Sequence, residues 1–95
     1  MDIQLFARRN QLIIECYRVI ELLTNYSNHL ANGFVVTDVD ILTINLLENS
    51  ITSISRIFLE LTLNDAITLE YIDKKAAYVD VAFKMIPFDM RKQVF

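Results

Sequence analysis

Few side chains in this 95-residue chain could carry covalent or metal chemistry. His29 is the only histidine and Cys16 the only cysteine. A catalytic imidazole needs a nucleophile or an acid within hydrogen-bond reach. Tyr26 and Ser27 neighbour His29 in sequence but project elsewhere on a helix. A cation near a helix C-terminus is favourable in its own right, so ordinary structure accounts for His29. Cys16 falls on an apolar arc between Leu12 and Val19, where a thiol acts as a small hydrophobe. Metal binding lacks ligands, with one His, one Cys and no Glu-x-x-His pair of the di-iron kind. Phosphate loops and dinucleotide fingerprints need glycines, and the chain has one. The expectation is a non-enzymatic protein with no cofactor and no metal.

Two groups of residues could instead bind something. Tyr71, Tyr78, Val81 and Met85 share one side of a helical stretch whose opposite side carries Leu69, Ile72, Ala76, Val79, Phe83 and Ile86. A surface helix of a small monomer needs one apolar face; a second face, bearing two tyrosines, suits an interface. Packing within the chain is the ordinary alternative. Val39, Leu42 and Leu46 form a shorter second stripe upstream and join the same expected partner surface. Arg8, Arg9, Arg91 and Lys92 would contact an anion, a nucleotide or an acidic segment if the chain ends converge.

The elements that must position these residues are helical. One Gly and one Pro are too few for the frequent turns of a sheet protein. The apolar share is 54%, or about 51% counted without Tyr and with Gly, at the upper edge of the globular range. That excludes disorder without establishing oligomerisation. The length suits one domain.

Helix 1 is expected over 3–30, capped by Asp2. Leu5, Leu12, Val19 and Tyr26 recur every seven residues, joined by Cys16, Leu23 and Leu30. A polar spine of Gln4, Arg8, Gln11, Glu15, Arg18, Asn25 and His29, interrupted by Leu22, predicts a wet opposite side. Gly33 marks the stop, where a left-handed residue is common. Phe34, Val35 and Val36 should then cover one end of the bundle. Helix 2 is expected over 38–61, opened by a capping box of Thr37 and Asp40. Its stripe is Ile44, Leu47, Ile51, Ile54, Phe58 and Leu61. Its other positions, from Thr43 to Ser55, are small and neutral apart from Glu48, which predicts close approach by another helix. Thr62 and Asp65 repeat the capping spacing, so a break is favoured over one continuous helix, and helix 3 is expected over 65–86. Pro87 ends it, leaving a tail over 88–95 with Phe88, Met90, Val94 and Phe95.

The architecture expected is all-α, three long antiparallel helices completed as a homodimer or higher oligomer. Net charge is −3, from 12 acids and 9 bases, with no Lys or Arg between Arg18 and Arg56. This is a poor footprint for nucleic acid. The lone cysteine fits a reducing compartment. The N-terminus lacks an uninterrupted apolar core for a signal peptide, and the uncharged stretch 22–37 is too polar and short to span a membrane. A cytoplasmic protein that binds other proteins through a helix face is the leading expectation; an oligomer sequestering a small ligand between subunits is the alternative.

Overall fold

Each helix begins where a side chain can hold its first free N–H groups. In the computed structural model, which describes residues 2–92, three α-helices and a closing 3-10 turn make up the chain. Helix α1 (Ile3–Ala31) starts at Asp2, whose carboxylate accepts from the Gln4 N–H at 2.9 Å. Helix α2 (Asp38–Leu63) starts at a reciprocal capping box. The Asp40 N–H donates to the Thr37 hydroxyl at 3.1 Å, and the Thr37 N–H donates to the Asp40 carboxylate at 3.0 Å. Helix α3 (Leu69–Lys84) starts later than Asp65, because Thr68 is its N-cap and accepts from the Tyr71 N–H. The spacing of Thr62 and Asp65 goes unused: the Thr62 hydroxyl donates to the Leu59 carbonyl inside α2, which runs on to Leu63. The Asn64 side chain then accepts from the Ala66 N–H and turns the chain.

The end of α1 also differs from the left-handed stop expected at Gly33. Among the described residues none, glycine included, has a positive φ. The Asn32 N–H closes onto the Asn28 carbonyl at 2.9 Å, and the Gly33 N–H reaches Leu30 at 3.4 Å. The turn is right-handed throughout, so glycine's freedom is not what the position uses.

Helix α1 is the element on which the others rest. Helix α2 lies antiparallel along one side of it, and α3 lies along the neighbouring side, while α2 and α3 barely touch. The buried line of α2 is Leu47, Ser50, Ile54, Ile57 and Leu61, at spacings of three and four. Ser50 therefore belongs to the buried seam, where a small side chain permits close approach. The facing residues of α1 are Leu12, Cys16, Val19, Leu22, Leu23 and Ser27. Ile67, Ile72, Val79, Ala82 and Ile86 complete the core from the α3 region.

Two arginines set the register. The Arg9 Nε–H donates to the Leu61 carbonyl at 2.6 Å, and Arg8 pairs with Asp73. Further along, the Arg18 guanidinium lies 5.2 Å over the Phe83 ring. So α3 runs parallel to α1, along the spine expected to be wet. Arg8, Glu15 and Arg18 are half-buried there and Leu22 is fully buried. The physical reason is that long charged side chains lay their stems along a neighbour and keep their heads in water. The outward side of α1 is instead the one carrying Ile3, Phe6 and Ile14.

The helices differ in length, and this gives the molecule its shape. At 1.5 Å per residue α2 is about 39 Å long and α3 about 24 Å. Helix α3 therefore covers only part of the hairpin formed by α1 and α2. The principal extents are 52 × 22 × 18 Å, and the radius of gyration is 14.8 Å, against about 12 Å for a compact chain of this length. After Lys84 the chain turns at Pro87 into the 3-10 turn Phe88–Lys92. There Arg91 donates to the Ile86 and Lys84 carbonyls at 2.7 and 2.8 Å, satisfying the end of α3. Val94 and Phe95 lie outside the described residues.

A Cβ added at Gly33 would sit 3.4 Å from the Leu30 carbonyl oxygen and 3.7 Å from that of Val35, ordinary contacts. Gly33→Ala should therefore stabilise the protein by about 0.4–1 kcal/mol, through the lower entropy of its unfolded chain. Urea unfolding measures this, and a loss of stability would contradict the right-handed turn.

Candidate functional site

Beyond the reach of α3 the hairpin ends in an uncovered apolar surface. Where α2 does face α3, Ser53, Arg56, Ile57 and Glu60 stand across from Tyr71, Lys75 and Tyr78, around a cleft of about 290 Å³. The same side of α2 continues seven, eleven and fourteen residues before Ser53, at Leu46, Leu42 and Val39. These three have no helix opposite them. Leu46 is 54% exposed, Leu42 69% and Val39 70%. The loop beyond adds Phe34, fully exposed at 106%, with Val35 and Val36 also exposed. Phe34, Val35 and Val36 thus do not cover the bundle end, as their apolar character suggests they should. Helix α3 stops short of them, so no helix among the described residues covers them. These exposed apolar residues are neighbours on one end of the molecule rather than scattered singly over its surface.

The second face expected on helix 3 divides. Tyr71 and Met85 are partly buried against the core of their own chain. The Lys75 ammonium lies 5.5 Å over the Tyr71 ring. Burial pushes the Tyr71 phenol above its usual 10.0, and the charges of Glu60 and Cys16 push it the same way. Tyr78 and Val81 remain exposed, Val81 at 63%. Of the four, only these two are exposed.

The four basic residues do not gather into an anion site. Arg8 and Arg9 hold Asp73 and the Leu61 carbonyl. Arg91 holds the carbonyls at the far end of α3 and lies 5.3 Å over the Phe83 ring, while Lys92 lies over Phe88. From Asp73 to Lys84 α3 rises about 16 Å, which separates the two pairs. Asp80 and Lys84, one turn apart on α3, form an i,i+4 ion pair at 2.9 Å.

The chemical candidates sit in ordinary surroundings. His29 is exposed near the end of α1, and Ser27 is buried. Cys16 is wholly buried, and its thiol is pushed up to about 11, first by burial and then by the charge of Glu15. Among the described residues no group of three or more His, Cys, Asp or Glu side chains could hold a metal ion. No helix there is long and apolar enough to cross a membrane. Comparisons with protein-family models, curated proteins and solved structures gave no match.

Adjacent leucines distinguish the open surface from the core. Leu47→Ala should cost about 2–5 kcal/mol, because Leu47 is fully buried. The double change Leu42→Gln and Leu46→Gln should move stability by no more than about 0.5 kcal/mol. Chemical denaturation compares the two; similar large losses would mean that the surface is already covered.

The thiol has a readable pH signature. Its ordinary value is 9.0 and its folded value about 11, so between these the unfolded chain releases a proton that the folded one keeps. Stability is then full below pH 9 and falls as pH rises toward 11, by at most about 1.4 kcal/mol per pH unit from this group. Cys16→Ala should start less stable and lose less over that range, although Tyr71 adds its own alkaline loss in both proteins. Equal slopes would show that Cys16 ionises freely in the fold.

Proposed function

We propose that this protein is a small, non-enzymatic binding module that engages another protein through an apolar helix face, and that the face is the uncovered end of the α1–α2 hairpin. One observation carries this reading: large apolar side chains from Phe34 to Leu46 stand exposed together where α3 does not reach. Burying such area drives association. A helical face of this size suits masking or remodelling a partner, as an inhibitor, regulator or chaperone-like adaptor does. The engagement of all four basic residues in contacts within the chain favours this over sequestration of a small ligand between subunits. A cytoplasmic setting suits the single unpaired thiol.

Self-association is the second reading, and a separate surface supports it. Ile3, Phe6 and Ile14 form an exposed apolar line on the outward side of α1. A homodimer joined there would leave the hairpin end open.

The test uses the purified chain as bait beside the Leu42→Gln/Leu46→Gln variant, with light scattering on both. Proteins retained by the first and lost by the second support the module. An identical set of captured proteins would remove the hairpin end from the interface. Unchanged molecular mass in the variant would separate partner binding from dimerisation.

A further inference from the structure

We infer that the uncovered hairpin end seats a basic amphipathic helix of another protein. This rests on the docking reading above and specifies its partner by shape and by charge.

The shape follows from how α3 itself is held. Helix α3 lies in the trough between α1 and α2, with Glu15 and Val19 of α1 beside Val79 and Phe83. On the α1 wall Leu22, Tyr26 and His29 come seven, eleven and fourteen residues after Glu15, which keeps the same side; Leu22 is buried, Tyr26 half-buried and His29 exposed. On the α2 wall Leu46, Leu42 and Val39 continue the side begun at Ser53. Just past Lys84 the trough is filled by the chain's own Ile86, which is fully buried, and Met90, which packs against the core. Beyond them its α2 wall is apolar and, among the described residues, no third helix covers it. Its free length is at most the difference between α2 and α3, about 15 Å. A helix with apolar residues at spacings of three and four would pack there as α3 does nearby.

The charge of the occupant follows from the division of charge in the chain. Residues 19–55 hold four of the 12 acids, Glu21, Asp38, Asp40 and Glu48, and none of the 9 bases. That half carries −4 and the rest +1, together the net −3. Both ion pairs found among the described residues, Arg8 with Asp73 and Lys84 with Asp80, lie outside the acidic half. A second copy seated by the same end would set −4 against −4, and an anionic lipid surface would be repelled likewise. Asp38 shares the side of Leu42, Asp40 holds the Thr37 N–H, and Glu21 and Glu48 lie on the far sides of their helices. A basic partner is therefore attracted at a distance by the summed charge and is packed through its apolar stripe.

Two labelled synthetic peptides of about four turns test this. Both carry leucines at helical spacing; one has lysines at the remaining positions and the other glutamates. Fluorescence anisotropy measures each against the whole protein, at low and high salt. Wild type is compared with the Leu42→Gln/Leu46→Gln and Asp38→Lys/Glu48→Lys variants. The expected result is that the lysine peptide binds about tenfold or more tighter than the glutamate peptide, an advantage that salt reduces. The Gln variant should lose about tenfold in affinity for the lysine peptide, and the Lys variant should lose the preference between peptides. Equal binding of both peptides, lost in the Gln variant, would overturn the basic partner and leave the docking surface standing. Lysine-peptide binding that ignores the Gln variant would overturn the seat itself. If neither peptide binds, light scattering decides: a dimer broken by the Gln variant gives the seat to a second copy, and a monomer overturns both readings. Flotation of the protein with anionic vesicles would assign the surface to lipid instead.

Discussion

The packing of two helices of unequal length on one central helix is the constraint on which the structure depends. Helix α1 buries its residues against α2 and α3, which barely touch one another. Helix α2 follows α1 to the hairpin turn, whereas α3 ends at Lys84 and is held there by Arg91. One half of the molecule is a three-helix bundle with a closed core. The other is a two-helix hairpin, an arrangement too thin to hide apolar residues on all of its inner sides. Leu46, Leu42 and Val39 are exposed for this geometric reason, although their helix is regular and well capped.

Much of this was legible in residue spacing, because caps and stripes are local. Asp2 and the pair Thr37 and Asp40 act as their types and positions predict. The stripe of α2 differs from expectation by about one position, since Ser50 and Ile57 enter the seam beside Leu47, Ile54 and Leu61. Ser50 is one of the small, neutral positions whose size predicts close approach by another helix, and at Ser50 that approach occurs. In a tight helix pair smallness counts for more than polarity. The Thr43, Thr52 and Ser55 hydroxyls donate to carbonyls of their own helix, so a polar helix face can satisfy itself without water or partner.

The rest was hidden because it depends on distances between elements. The α1 side that receives α3 is marked by Arg8, Glu15 and Arg18, types that pattern reading assigns to solvent. Leu22, which broke the polar spine, was the one local sign of a neighbour. The start of α3 was ambiguous because Thr62 and Thr68 are both good caps, and only the continuation of α2 to Leu63 decides between them. Val39, Leu42 and Leu46 were visible as a second stripe. The exposure of Phe34, Val35 and Val36 was not, because apolar loop residues look alike whether a helix reaches them or falls short.

An open apolar surface at one end of a small protein carries a hazard, since copies can stick to one another through it. The charge distribution acts against that outcome. Every Lys and Arg lies outside 19–55, so apart from His29 the titratable charges of that segment are all acidic. Two such ends approaching each other meet repulsion that exposed charges feel over about 8–10 Å at moderate salt, before any apolar contact forms. A partner of opposite charge meets attraction over the same range. The same four acids can therefore keep the surface open in the free protein and select what closes it. For self-association the structure offers a separate apolar surface outside residues 19–55, the outward line of Ile3, Phe6 and Ile14.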